Sequence, residues 1–260
     1  MGKAKAGMET EFLETRQGRR IAFHRTPGRS PGVVFLGGFS SDMEGTKALF
    51  LEDWARTAGQ SFLRFDYSGH GQSSGEFVDG CIGDWADDAI EVIQSSTEGP
   101  QVMVGSSMGG WIALLVARAL PKRVAGIVGI AAAPDFTEDL TWAELSPSER
   151  ETLRTEGHIE LPSDYSDEPY VFTWKLIEDG REHLVLRDPL VLDMPVRLLH
   201  GTADQDVRMS VPLALLDHAR SPDMRLTLVK DSDHRFSAPE NLALIQSTVE
   251  SVIAVLKSER

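Results

Sequence analysis

The fold of this chain is decided by the stretch QVMVGSSMGGWIALLVARAL at residues 101–120. It opens with an apolar run typical of a buried strand, Gln101 to Ser106, and closes with an apolar helical segment, Met108 to Leu120. Between them lies a Gly-x-Ser-x-Gly motif centred on Ser107. A serine on such a tight strand-to-helix turn is held exposed above the sheet, and small flanking residues relieve the crowding. The motif predicts that Ser107 is a nucleophile, with Ser106 as the weaker alternative.

Short apolar runs alternate with longer segments of helical period on both sides of this motif. Such alternation predicts repeated β-α units around a mostly parallel sheet, covered by helices on both faces. Eight strands are expected, at Glu11 to Thr15, Arg20 to Arg25, Gly32 to Leu36, Ser61 to Asp66, Gln101 to Ser106, Arg123 to Ile130, Val196 to His200 and Arg225 to Val229. Helices are expected at Lys47 to Thr57, Asp84 to Ser95, Met108 to Leu120, Val211 to Ala219 and Pro239 to Lys257.

The alternation is interrupted between about Phe136 and Leu190, where the sequence becomes acidic and richer in tryptophan and tyrosine. We expect this segment to be a helical cap inserted after the sixth strand. With no linker, repeat or low-complexity tract in the sequence, the cap is expected to belong to a single domain that spans residues 1–260.

Two helices are expected within the cap. The sequence SPSE at residues 146–149 has the residue pair of a capping box around a proline at the first helical position, so a helix should begin there and run to about Glu156. A second helix is expected from Tyr170 to Asp179, ended by Gly180.

A nucleophilic serine needs a base, because an alcohol is almost entirely protonated near neutral pH. His234 is the predicted base. It follows the last expected strand, so its loop should open at the carboxyl edge of the sheet, beside Ser107. The order serine, aspartate, histidine along the chain supports this choice. His70, which lies in the turn after an earlier strand, is expected to have a structural role.

The acid that orients the histidine should follow the preceding strand, where the chain has two carboxylates, Asp204 and Asp206. Asp135 is a third alternative, because some proteins with this chain order place the acid one strand earlier. Asp231 and Asp233 are too near the histidine in sequence to be favoured, and are expected to shape its turn.

Two backbone N–H groups are predicted to stabilise the oxyanion of an acyl-transfer reaction. One belongs to Met108, at the N-terminus of the helix that follows Ser107, where the helix dipole adds positive charge. The other belongs to Phe39, because the stretch LGGFS at residues 36–40 lies between the third strand and a helix, where a second donor is expected.

Composition excludes several other classes of function. The formal net charge of −14 disfavours binding to nucleic acid or to anionic lipid. Cys81 is the sole cysteine, so an internal disulfide is excluded, and the histidines and cysteine have no zinc-ligand spacing. Residues 1–10 contain neither an apolar stretch nor a recognisable presequence, so no membrane anchor and a cytoplasmic location are expected.

Five motifs, in the same order along the chain, resemble the α/β-hydrolase superfamily from Gly32 to about Leu256. They are LGGF at residues 36–39, DYSGHG at 66–71, GSSMGGW at 105–111, HGTAD at 200–204 and SDHR at 232–235. The stretches RLLHG at 197–201, SDHR at 232–235 and LPSDYS at 161–166 are similar to palmitoyl-protein thioesterases and acyl-glucuronide esterases of that superfamily and to their bacterial relatives.

The resemblance implies an esterase or thioesterase with Ser107 as nucleophile, Asp204 as acid and His234 as base. It also favours Asp204 over Asp206. Gly37 departs from the pattern, since many members have histidine before the oxyanion glycine, although the backbone donors should survive that change.

We therefore expect a serine hydrolase that forms an acyl-enzyme from a small-molecule or acylated substrate and requires no cofactor or metal. A ligand receptor without turnover is an alternative, as is a peptidase or acyltransferase with the same triad. A dehalogenase is disfavoured, because it would normally carry aspartate in place of Ser107. The cap is expected to select an apolar acyl group, with one or two of its six aromatic residues lining a tunnel above Ser107 and others packing the cap itself. The alternative is that all six only pack the cap or shield it from solvent. These residues are Phe136, Trp142, Tyr165, Tyr170, Phe172 and Trp174.

Overall fold

A computed structural model describes residues 9–162 and 169–258 of the protein. The strands are β1 (Glu11–Glu14), β2 (Arg20–Thr26), β3 (Arg29–Leu36), β4 (Gln60–Phe65), β5 (Gln101–Ser106), β6 (Val124–Ile130), β7 (His158–Leu161), β8 (Tyr170–Thr173), β9 (Val196–Gly201) and β10 (Met224–Val229). The α-helices are α1 (Thr46–Ala58), α2 (Ile82–Ser96), α3 (Met108–Ala119), α4 (Pro147–Glu156), α5 (Trp174–Glu182), α6 (Ser210–His218) and α7 (Pro239–Ser258). A short 3₁₀ helix lies at Phe77–Asp79 and a π-helical segment at Thr137–Trp142.

Within the described residues, eight strands form one sheet in the order β1-β2-β4-β3-β5-β6-β9-β10. β2 pairs antiparallel with both β1 and β4, and the remaining neighbours pair in parallel. The central strand β5 is buried at every position, as expected for an apolar strand covered on both faces. The predicted fold class is confirmed, and each expected strand has its counterpart in this sheet.

Helices cover both faces of the sheet. On one face, α2 and α3 bury Trp85 and Trp111 in an apolar cluster with the strands. On the other, α1 and α7 pack onto the sheet through buried residues such as Leu51 and Ile245. Because the covered strands run in parallel, their carboxyl ends meet at one edge, where ligands bind in open α/β sheets.

The cap lies between β6 and β9 and contains the π-helical segment, α4, the β7–β8 hairpin and α5. Phe172 and Leu176 of the cap pack in the same apolar cluster as the sheet. Helix α4 begins as expected: the Ser146 hydroxyl accepts the N–H of Glu149, and the Glu149 carboxylate accepts the N–H of Ser146. The assignment of the whole chain to one domain stays a prediction.

The prediction of the second cap helix is wrong for its first four residues. Tyr170–Thr173 forms β8 because it pairs antiparallel with β7, and its aromatic and β-branched side chains suit the extended backbone that this pairing requires. Helix α5 starts at Trp174, where the Thr173 hydroxyl accepts the N–H of Leu176. Gly180 does not end it. This glycine lies inside the helix against Thr137, whose Oγ1 would be 2.2 Å from an added Cβ.

The capping box of α4 gives a prediction about stability. Ser146→Ala should lower the free energy of unfolding by about 1 kcal/mol, because the N–H of Glu149 loses the hydroxyl that accepts it. Thr155→Ala is the matched control, since Thr155 lies on the same helix and its hydroxyl donates to the carbonyl of Glu151. Urea unfolding of both variants measures the difference. Equal stabilities would show that the box contributes nothing.

Candidate active site

Ser107 lies on the turn between β5 and α3 with a strained backbone. Its φ of 54° is in a region that non-glycine residues seldom occupy. The turn also requires glycines on both sides: an added Cβ would be 2.3 Å from the Gly109 oxygen at Gly105, and 2.1 Å from the Leu36 oxygen at Gly109. The small residues of the motif therefore allow three backbone segments to meet beneath the serine.

The structure brings Ser107, His234 and Asp204 together. Nε2 of His234 lies 3.0 Å from the Ser107 Oγ, and Nδ1 lies 2.8 Å from Oδ2 of Asp204. In the tautomer with hydrogen on Nδ1, the histidine donates to the carboxylate and can accept the serine proton. Three loops supply these groups, after β5, β9 and β10, all at the carboxyl edge of the sheet.

The buried carboxylate of Asp204 is held by the loop that follows β9. It accepts the N–H groups of Asp206, at 3.0 Å, and of Val207, at 2.8 Å, in addition to His234. His200, wholly buried below it, lies with Nε2 3.0 Å from the Val207 carbonyl, and burial lowers its pKa, which favours the neutral ring. A buried carboxylate needs such partners, because an unpaired one is costly.

The two alternative acids occupy different positions relative to His234. The Asp206 carboxylate is 4.0 Å from Nε2 of His234, the nitrogen that faces the serine, and so cannot fix the tautomer through Nδ1. Asp135 is buried and accepts the N–H groups of Val185 and Leu186, which joins the two ends of the cap. Burial raises the pKa of Asp135.

The segments that carry the two predicted oxyanion donors lie side by side. Strands β3 and β5 are hydrogen-bonded neighbours, so the loop with Gly38 and Phe39 lies beside Ser107. An added Cβ at Gly38 would be 3.4 Å from the Ser107 Cβ. Met108 is the first residue of α3, and N–H groups of a first turn have no partner within their own helix.

A cavity of about 810 Å³ opens in front of Ser107 and His234. The cap contributes apolar side chains to it, those of Phe136, Leu140, Leu145, Leu161, Tyr170 and Phe172. The loops at the sheet edge contribute polar groups, among them Ser41, Lys47, Gln205 and Ser237. The volume lies within the roughly 300–1,000 Å³ usual for small-molecule sites.

The six cap aromatics divide into separate groups. Phe136, Tyr170 and Phe172 line the cavity and surround the ring of Phe39, with centroids 5.1 to 5.8 Å away. Trp142 and Trp174 instead contact each other at 5.6 Å, away from the cavity, beneath arginine side chains. Tyr165 lies outside the described residues.

Lys47 is a residue of this cavity that the sequence motifs do not single out. The sequence predicts only that a helix begins at Lys47, yet the side chain of this residue lines the cavity from α1. The available signal was its position, because a cation in the first turn of a helix is opposed by the helix dipole.

Asp204, Asp206 and His234 also offer donor atoms within 4.8 Å of one another, a spacing that could hold a metal ion. Both ring nitrogens of His234 are already engaged, one by Asp204 and the other by Ser107. A metal on this histidine would have to displace one of those contacts, so the geometry favours proton transfer over metal binding.

A family model described as the alpha/beta hydrolase family matches residues 33–243. The chain belongs to this family. Mitochondrial palmitoyl-protein thioesterase ABHD10 of Rattus norvegicus is 35% identical over 249 residues, which are 95% of this chain and 83% of the relative.

Two solved structures resemble this alpha/beta hydrolase over nearly its whole length. A hydrolase from Agrobacterium vitis S4 is 40% identical with a TM-score of 0.90, covering 94% of this chain and 98% of its own. Mouse alpha/beta hydrolase domain-containing protein 10 is 34% identical with a TM-score of 0.89, covering 95% of this chain and 99% of its own. The predicted superfamily is confirmed, and so is the prediction of an enzyme that hydrolyses esters or thioesters.

The expected cytoplasmic location is wrong, because the thioesterase relatives from rat, cattle and human are named as mitochondrial proteins. The single cysteine on which the expectation partly rested excludes an internal disulfide but does not distinguish one reducing compartment from another. Across residues 9–162 and 169–258, no helix has the length and apolar character needed to cross a membrane.

Proposed function

We propose that this alpha/beta hydrolase cleaves acyl esters or thioesters through a triad of Ser107, His234 and Asp204. The observation that carries the proposal is the unbroken chain of contacts, 3.0 Å from Ser107 Oγ to Nε2 of His234 and 2.8 Å from Nδ1 to Asp204. These lengths suit proton transfer from the serine to the histidine. The direct test is loss of hydrolysis in Ser107→Ala, argued in the Discussion.

In the proposed mechanism, His234 takes the Ser107 proton as Oγ attacks the acyl carbon, and Asp204 stabilises the resulting imidazolium. The oxyanion accepts the N–H groups of Phe39 and Met108, each donor contributing about 3 kcal/mol in comparable enzymes. Collapse of the intermediate expels the thiol or alcohol, protonated by His234. Water then attacks the acyl-enzyme with His234 as base, releasing the carboxylic acid.

We propose further that the acyl group is apolar. Relatives that align with 95% of this chain are named palmitoyl-protein thioesterases. The cap side chains along the cavity support the same conclusion, because Phe136, Leu140 and Phe172 offer a surface that only an apolar group would bury favourably.

The acyl preference predicts a dependence on chain length. The value of kcat/KM should rise by up to about fourfold per added methylene, equivalent to about 0.8 kcal/mol, until the cavity is full. The measurement uses thioesters and oxygen esters of acyl chains from about two to sixteen carbons. Because the same acyl chain would occupy the same cavity in both series, both should show the same dependence on its length.

Alanine variants of the cap aromatics test which side chains contact the acyl chain. Phe136→Ala and Phe172→Ala should change the preferred chain length, since both rings line the cavity. Trp142→Ala is the matched control, because this cap aromatic packs on Trp174 instead. If rates are indifferent to chain length and all folded variants behave like the wild type, the cap is a lid without a role in specificity.

A further inference from the structure

Lys47 lies in the first turn of α1, where a positive charge is unfavourable. It is the second residue of α1, and the first turn of that helix contains no acidic residue to offset the charge. The helix dipole places partial positive charge at this end, so a lysine here is repelled unless its side chain finds a partner elsewhere. The structure supplies such a partner from the far end of the chain.

The Lys47 ammonium donates a hydrogen bond of 2.6 Å to the backbone carbonyl of Arg235. Arg235 directly follows His234 in the loop between β10 and α7. That loop is strained on both sides of the histidine, with φ of 60° at Asp231 and 51° at Phe236. Strained loops keep their conformation through tertiary anchors, and the contact with Lys47 is one of them.

We propose that Lys47 is a positioning residue that holds the His234 loop against the start of α1 and keeps the imidazole within reach of Ser107. Because α1 follows the loop that carries Phe39, the same hydrogen bond links the base to the oxyanion loop. The inference rests on the proposed triad and adds a residue that the triad does not contain.

The charge on Lys47 strengthens this anchor only while the amine is protonated. Burial lowers the pKa of Lys47 to about 8, while the carboxylate of Asp233 opposes that shift and the guanidinium of Arg235 adds to it. Glu144, Glu149 and Asp206 are the other charged groups along the cavity. A charge-assisted hydrogen bond is about twice as strong as a neutral one, so the anchor weakens as pH rises through about 8.

The test compares Lys47→Met with Lys47→Arg on a neutral short-chain ester between about pH 6 and pH 10. Lys47→Met should lower kcat by roughly tenfold to a hundredfold, because a small displacement of a catalytic group is costly. KM should stay within about twofold, and the decline in kcat above about pH 8 should disappear. His234 acts in both acylation and deacylation, so kcat reports on its position whichever step limits the rate.

Lys47→Arg should restore most of kcat and move the alkaline decline beyond pH 10, because a guanidinium does not lose its proton in this range. Lys175→Met is the matched control. Lys175 also donates to a backbone carbonyl, that of Asp79 at 2.5 Å, and to Asp84, but it lies in α5 outside the cavity. This variant should keep the wild-type kcat and pH profile.

The outcomes distinguish this inference from the proposed function. A wild-type protein without Ser107-dependent hydrolysis would refute both. An active wild type whose Lys47→Met variant keeps its kcat, or whose Lys47→Arg variant declines at the same pH as the wild type, would refute the role of Lys47 alone. If Lys47→Met does not fold, the arginine variant still decides the question through its pH profile.

Discussion

Ser107→Ala is expected to reduce kcat/KM for ester and thioester hydrolysis by about a thousandfold or more while the protein stays folded. The hydroxyl is the group that would form the acyl-enzyme, and what remains without it is catalysis by the oxyanion donors and by binding. An alanine side chain fits the turn without a new contact, since it only removes Oγ. The measurement is steady-state hydrolysis with circular dichroism as the test of folding.

Ser106→Ala is the control for this result, because Ser106 is the neighbouring serine at the end of β5. It should keep most of the activity. Labelling by a fluorophosphonate probe separates an enzyme from a receptor of the same fold, since a receptor does not need an activated serine. Wild type and Ser106→Ala should be labelled, and Ser107→Ala should not. Hydrolysis that survives in Ser107→Ala would refute the nucleophile.

The sheet and the strand-turn-helix segment around Ser107 are predictable from the sequence, because the signals for both are local. Residues 101–120 contain a strand, a turn and a helix in succession, and each has its own pattern of apolar residues and glycines. The parallel arrangement then puts the loops after β5, β9 and β10 at one edge. Ser107, Asp204 and His234 therefore come together although His234 lies 127 residues beyond the serine.

The cap is less predictable, because its elements are short and depend on one another. Tyr170–Thr173 becomes a strand only because it pairs with His158–Leu161, and the pattern of single residues does not show that pairing. Gly180 is a residue type that often ends a helix, but here it lies within α5 and allows Thr137 to pack closely against the helix. In both cases tertiary packing overrides a local signal.

Contacts between residues far apart in the sequence also cannot be predicted from local patterns. Lys47 and the Arg235 carbonyl are 188 residues apart, and no motif joins them. The local residue pattern likewise leaves the choice between Asp204 and Asp206 open, and it is the resemblance to the superfamily that favours Asp204. Both follow β9 in the same short loop, and only the turn of that loop decides which carboxylate faces Nδ1 of His234.

Asp204→Asn is expected to lower kcat by about 10⁴-fold, the loss seen when the aspartate of a comparable triad becomes an amide. The Asp204 carboxylate accepts from Nδ1 at 2.8 Å and also accepts two backbone N–H groups. Both backbone N–H groups donate to Oδ1, so an asparagine would keep its oxygen there and turn its nitrogen toward Nδ1 of His234. That arrangement favours the wrong histidine tautomer and removes the charge that stabilises the imidazolium. The measurement is kcat and KM on the ester used for Ser107→Ala.

Asp206→Asn is the matched control, since it makes the same change two residues away on a carboxylate that lies 4.0 Å from Nε2 of His234. It should lower kcat by no more than about tenfold, because Nδ1 keeps its partner and the charge that is removed is partly exposed. A large loss in Asp206→Asn with a small one in Asp204→Asn would transfer the role to Asp206. If neither variant loses activity, Asp135→Asn is the next measurement, but the hydrogen bonds of Asp135 to Val185 and Leu186 predict that this variant loosens the cap rather than the histidine.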